Sequence, residues 1–217
     1  MVNACDRSDL NNDEIERANQ RTCEILADKA HIAEANTILD WPTGKGCFLR
    51  TMLDKVQQDS IIICLDIDFV ELASLKAYLD NQGKGSNVYF VDADARDMPF
   101  QSNVFDAVTA WGGFIEVPEA PKAVSESYRV LKQGGYFAGD GEVYEENSES
   151  IRVAERIGVG YLISRERIEN CIADSGFRDI YTESVFEDYD RTEPGPDRCP
   201  LPACGDWFGI IVASGRK

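Results

Sequence analysis

The chain has 217 residues, 43% of them apolar, which suits a single domain with a proper core. Lysine and arginine total 22 against 39 aspartates and glutamates, a net charge of −17. That balance argues against a nucleic-acid backbone or an anionic membrane surface as partner, since both require clustered cations. It suits a small or cationic substrate, and equally serves solubility or a salt-rich cytoplasm.

Seven cysteines are an odd count without framework spacing, and Cys47, Cys64 and Cys171 sit in apolar segments as buried reduced thiols do. The opening MVNACDRSDLNNDEIE has no apolar core of signal-peptide type, and no apolar run approaches the roughly 18 residues of a membrane span. A cytoplasmic protein is expected.

In chain order, residues 1–11 are polar and expected to be mobile. Asn12 to about Ala35 has helical spacing in Ile15, Ala18, Cys23, Ile25, Leu26 and Ala30, and places His31, the only histidine, in a last turn favoured by the helix dipole. One histidine supports neither a histidine metal site nor a nucleophile–histidine triad, so no metal is expected. Thr37–Trp41 reads as a strand, Pro42-Thr43-Gly44-Lys45-Gly46 as a tight turn, and Cys47 to about Gln58 as a helix. Ser60–Leu65 is apolar on both faces, as a central parallel strand is. Asp68 is placed to cap a helix over Phe69–Leu79. Further strands are expected at Asn87–Val91, Val104–Ala110 and Tyr136–Gly139, with a helix from Glu119 to Leu131.

Strand and helix thus alternate, predicting a doubly wound, three-layer α/β fold on a mostly parallel sheet. After residue 140 the rhythm changes. Residues 142–150 are acidic and polar, Ser164 caps a helix that Gly176 stops, and Ile180–Phe186 and Trp207–Ala213 read as two strands around a Pro-rich loop. Cys199 and Cys204 in CPLPAC are either a thiol pair for a soft metal or loop packing; two thiols do not complete a structural zinc site. The expected organisation is one domain over 1–217: a helical cap (1–36), a cofactor-binding core (37–140) and a C-terminal part (141–217).

Asp40, Asp66 and Asp94 fall at the carboxyl ends of three successive predicted strands, 26 and 28 residues apart. In an open α/β sheet those ends form the ligand crevice. An acid at the end of the strand after a glycine turn is placed to accept from ribose hydroxyls, and the next one to meet a base. In register with the turn, the three predict a nucleoside-containing cofactor. The dinucleotide fingerprint G-x-G-x-x-G would need a small residue at position 49, which is Leu, and this disfavours a nicotinamide-dependent oxidoreductase.

These residues resemble the class I S-adenosylmethionine-dependent methyltransferases. ILDWPTGKGCF is similar to that family's L-D-x-G-x-G-x-G motif, LDID (65–68) to its second acidic motif, DARDMPFQSNVFDAV (94–108) to its D-A-x-x-L-P-F stretch, and SESYRVLKQGGYF (125–137) to its R-V-L-K-P-G-G segment. The resemblance covers about residues 37–140 and implies a seven-stranded sheet with the last strand antiparallel. It implies S-adenosylmethionine as cofactor, with Asp40, Pro42, Gly44 and Gly46 around its methionine part. Asp66 would take the ribose and Asp94 with Ala95 the adenine; Ile67, Ala110 and Trp111 are further expected cofactor contacts, with Trp111 walling the cofactor or the substrate. Pro42 departs from the family's first glycine and removes one N–H donor. Lys45 either pairs with the cofactor carboxylate or faces water.

Methyl transfer from a sulfonium needs chiefly alignment of the nucleophile and loss of its proton. Trp111, Gly112 and Phe114 are expected on the substrate side, with Glu116 as candidate base. The nucleobase-amine motif of related enzymes is absent here, where Thr109-Ala-Trp-Gly-Gly-Phe stands. A small-molecule methyltransferase is therefore expected. The alternatives are a protein that binds S-adenosylmethionine or S-adenosylhomocysteine without catalysis and, less favoured, the oxidoreductase.

Overall fold

The computed structural model describes residues 12–158, 161–189 and 201–217. Fourteen elements follow one another: α1 (Asn12–Lys29), β1 (Thr37–Asp40), α2 (Cys47–Leu53), β2 (Ile61–Asp66), α3 (Phe69–Asn81), β3 (Val88–Asp92), β4 (Phe105–Ala110), α4 (Gly113–Glu116), α5 (Ala120–Val130), β5 (Leu131–Tyr144), α6 (Glu149–Ile157), α7 (Arg165–Asp174), β6 (Arg178–Tyr189) and β7 (Trp207–Arg216). They build one seven-stranded sheet in the order β3-β2-β1-β4-β5-β7-β6. β1 to β5 run parallel, and β7 is inserted antiparallel between β5 and β6. This is the doubly wound sheet that the alternating pattern predicts.

The apolar strands are covered on both faces. One core joins Phe114, Val124, Val130, Phe137, Ile168 and Ile172, the side of α4, α5 and α7. The other joins Leu26, Ile32, Phe48, Met52, Leu72 and Leu75, the side of α1, α2 and α3. The strand order reverses beside β1, so the carboxyl ends of β1 and β4 diverge there into a crevice. α1 packs on β5, β7 and β6, and is tied to β6 by Arg21 on Glu183 (3.3 Å) and by Lys29 over the Tyr181 ring (3.9 Å).

Several boundaries differ from the sequence reading. α1 ends at Lys29, so His31 is not in a helical turn; it lies beyond, at φ 52°, stacked on Tyr136 with ring centroids 4.0 Å apart. α2 stops at Leu53 rather than near Gln58. β5 runs on to Tyr144, because its second half pairs with Phe208–Ile211 of β7. The acidic stretch that follows contains α6, capped by Ser148 and held by buried Ile151 and Ala154. The Asp68 and Ser164 caps form as expected, accepting from Val70 and Glu71 N–H and from Arg167 N–H respectively. Residues 1–11 and Cys199 lie outside the described residues. Cys204 and Cys47 are exposed, the latter contrary to expectation because it is the first residue of α2 and points outward.

Candidate cofactor and acceptor site

The glycine turn is anchored before it is shaped. Trp41, fully buried, donates its indole N–H to Ser127 Oγ on α5 (2.9 Å). Thr43 N–H donates to Leu65 O of β2 (3.1 Å) and Thr43 Oγ1 to Asp40 O (3.0 Å). Gly46 then turns the chain into α2 at φ 73°, the left-handed region that favours glycine, and a Cβ there would sit 2.6 Å from Leu75 Cδ1 of α3. A Cβ at Gly44 would meet nothing within 4 Å, which leaves the outer side of the turn open.

Asp66 closes the turn onto the end of β2. Its Oδ2 accepts Gly44 N–H (2.7 Å) and its Oδ1 accepts Asp68 N–H (2.9 Å). A carboxylate offers about four lone-pair sites, so both oxygens retain capacity for a ligand's hydroxyls. Ile67 beside it is 70% exposed, an apolar side chain left uncovered at a strand end. Asp94 is engaged differently from expectation. Arg96 grips it through N–H, Nε and Nη2 at 2.6–3.0 Å, which holds its carboxyl below the usual carboxylate range. Ala95 is buried in the core.

The β4–α4 junction faces this wall. Ala110 is fully buried. Trp111 packs toward the α1 side, and its Nε1 is buried without a hydrogen-bond partner. Gly112, at φ 73°, donates its N–H to Asp140 Oδ1 (2.8 Å). Phe114 corrects a substrate-side expectation: it is 1% exposed, its ring fills the space over Gly139, where a Cβ would stand 2.6 Å from Cζ, and its own Cβ lies over Gly141, where a Cβ would stand 2.8 Å from it. Glu116 is exposed at the mouth, with its carboxyl turned back toward Gly112. Surrounding protein desolvates that carboxyl and Asp66 and Glu71 repel its charge, so its pKa is raised.

Asp140 escaped the sequence reading, which ended the fifth strand at Gly139. The available signal was a carboxylate flanked by two glycines. Along β5, Phe137 and Val143 belong to the α5 side together with Gly139 and Gly141, whereas Ala138 belongs to the α1 side. Strand alternation therefore turns Asp140 toward α1. Burial pushes its carboxyl up to about 7, only partly offset by the Gly112 N–H, and Glu116 and Asp40 add repulsion. Burial likewise raises Asp40 to about 7 against the hydroxyls of Thr109 and Thr43. Cys23 of α1, also buried and close enough to feel Asp140, is pushed up to about 12. Among the described residues no group of three or more His, Cys, Asp or Glu could hold a metal ion, and no helix is long and apolar enough to cross a membrane.

Residues 38–135 match the family model described as a methyltransferase domain. Over those residues, somewhat under half of the chain, it is similar to methyltransferase domains. Among similar curated proteins, the ubiquinone/menaquinone biosynthesis C-methyltransferase UbiE of Brucella abortus (strain S19) is 37% identical over 101 residues, 46% of this chain and 38% of the relative. UbiE of Wigglesworthia glossinidia brevipalpis is 31% identical over 98 residues, 45% of this chain and 39% of the relative. The match thus spans well under half the length of these curated relatives. The fold is shared with a putative methyltransferase from Bacillus halodurans (TM-score 0.68, 19% identity, 92% of this chain and 98% of that one). It is also shared with geranyl diphosphate C-methyltransferase from Streptomyces coelicolor, solved with Mg2+, geranyl diphosphate and S-adenosyl-L-homocysteine (TM-score 0.72, 15% identity, 94% and 81%). The family's cofactor is S-adenosylmethionine. The open glycine turn, the spare lone pairs of Asp66, the uncovered Ile67 and the unpartnered Trp111 Nε1 fit such a group.

Proposed function

We propose that this chain transfers the methyl group of S-adenosylmethionine to a small-molecule acceptor. The observation that carries the reading is the bond from Gly44 N–H to Asp66, which joins the glycine turn and the end of β2 into one continuous wall. In this reading Asp66 accepts the ribose hydroxyls, Ile67 covers the base, and Asp40, Pro42, Gly44 and Gly46 frame the methionine end. Arg96 already occupies much of Asp94, so base recognition falls on the lone pairs that Asp94 keeps and on the Ala95 backbone. Ala110 and Trp111 close the wall, with Trp111 and Gly112 reaching the acceptor.

The cofactor supplies an activated methyl on a good leaving group. The chain's own work is to align the acceptor, exclude water and take up a proton. Glu116, whose raised pKa brings it nearer to neutrality than a free glutamate, is placed to do the last. α1 walls the acceptor side. A small acceptor is in keeping with the quinone and geranyl diphosphate chemistry named for its relatives. A cytoplasmic setting suits the free thiols Cys23, Cys47, Cys64, Cys171 and Cys204.

Calorimetry with S-adenosylmethionine tests this reading. Wild type binds, and Asp66→Ala weakens binding by roughly 10- to 100-fold, the worth of hydrogen bonds to a charged group. Equal affinity in the two proteins overturns it. Release of S-adenosylhomocysteine with a metabolite panel then separates transfer from binding alone.

A further inference from the structure

β5 is locked on both sides at the level of the site. Gly139 stands opposite Ala110 of β4 and Ala213 of β7, and Asp140 opposite Val212. The Asp140 carboxylate therefore projects from a segment that cannot shift without breaking two ladders. Its Oδ1 accepts the N–H of Gly112, the left-handed residue between Trp111 and α4. Below, the same turn is jammed: a Cβ at Gly113 would lie 3.0–3.2 Å from Ala110, Trp41 and Pro42. Above, toward Trp111 and the returning Glu116, Gly112 is held by its N–H on Asp140 and by its carbonyl, which accepts the N–H groups of Ile115 (3.3 Å) and Glu116 (3.1 Å) and so ties the turn to Glu116. The unpaired Trp111 Nε1 lies one residue away.

We propose that Asp140 is a positioning residue for the methyl acceptor, acting through the Gly112 N–H to set where the Trp111 indole and the Glu116 carboxyl stand. The inference rests on the methyl-transfer reading for what the positioned groups serve, but not for the contact itself. A charged Asp140 holds Gly112 more strongly than a neutral one, because hydrogen bonds to ionised acceptors are the stronger kind. The charge also repels Glu116 of α4 and Asp40 of β1, and Asp66 acts on both of those in turn; Cys23 of α1 faces the same space as a neutral thiol. Protonation thus loosens Gly112 while relieving Glu116, so the turn reads the charge on Asp140 and the acceptor side of the site follows.

Trp111 reports on this without any acceptor. The difference in emission between wild type and Trp111→Phe, followed from about pH 5 to 9, is expected to show a step near pH 7, where burial places Asp140. The step disappears in Asp140→Asn, persists in Asp40→Asn, and moves to lower pH in Glu116→Gln, which removes a like charge. A step that survives Asp140→Asn, or no step in wild type, overturns the proposal. Should Asp140→Asn fail to fold, the Gly112 amide resonance of wild type is decisive: it shifts with the same midpoint if the bond to Asp140 titrates and stays flat if the proposal is wrong. S-adenosylhomocysteine affinity separates the two sides of the site, staying within about threefold of wild type in Asp140→Asn; a larger loss places Asp140 on the cofactor instead. Failure of S-adenosylhomocysteine to bind wild type sinks the proposed function and leaves the fluorescence result standing by itself.

Discussion

Asp106 and Asp140 stand on adjacent strands of one sheet, Asp106 at the start of β4, away from the crevice, and Asp140 on β5 at the crevice end, and their carboxyls are driven in opposite directions. Asp106 accepts from Asn36 N–H, Thr37 N–H and Thr37 Oγ1 and from Lys132 Nζ, at 2.7–3.1 Å. Burial works against its charge, but the bonds from Lys132 and Thr37 outweigh burial and its pKa falls. Asp140 has one backbone donor from the β4–α4 turn, and the neighbouring charges that act on it are carboxylates, so burial wins and its pKa rises to about 7. The same division holds more widely. Glu126 with Arg129, and Glu146 with Ser164 and Arg167, are satisfied ionised groups outside the crevice. Asp40, Asp140 and Glu116 converge at the carboxyl ends of the strands, and among the described residues no cation is a cause of their shifts. The first set stabilises the fold; the second holds charge that the fold would more easily neutralise, which is how a site differs from a scaffold.

The largest effect is expected from breaking the scaffold side. Asp106→Ala leaves several half-buried donors and a lysine without an acceptor and costs about 3 kcal/mol, read as a lower urea midpoint, with S-adenosylhomocysteine binding retained. A cost under about 1 kcal/mol would remove the contrast. The site side responds with the other sign. A carboxyl whose folded pKa is raised contributes stability that is full below about pH 4 and is lost as pH rises toward about 7. Asp40→Asn therefore raises stability by roughly 2 kcal/mol at pH 8 and leaves it unchanged at pH 4, measured by thermal unfolding at both. A gain at pH 4 would mean that packing rather than charge is responsible. The smallest effect sharpens the comparison from outside. Lys76 and Asp80 pair at 2.7 Å but are both exposed, so Lys76→Ala changes stability by under about 0.5 kcal/mol.

The sequence made the architecture readable because parallel strands covered on both faces are nearly continuous apolar runs, and Ile61–Asp66 is one. Asp68 and Ser164 declared their caps for the same reason: short polar side chains ahead of an apolar period. What stayed hidden depends on contacts distant in sequence. The second half of β5 is acidic and glycine-rich, and it is a strand because β7 pairs with it some 70 residues later. Asp140 was lost with it. Arg96 follows Asp94 closely in sequence, yet nothing in the spacing says that the turn folds the guanidinium back onto that carboxylate. Phe114 was misplaced because only the packed sheet reveals two glycines bare enough to seat its ring.

Gly139, Asp140 and Gly141 carry a further consequence for how this chain can change over generations. Two bare positions receive α4 on one face while the carboxylate between them works on the other, so packing and site share one strand phase. One residue inserted or deleted just before Gly139 would present a carboxylate to Phe114 and a hydrogen atom to Gly112, losing both sides in a single step. The triplet is thus bound to its register in the sheet as well as to its residue types, a double constraint that Trp111 and Glu116, which lie off the strand, do not carry.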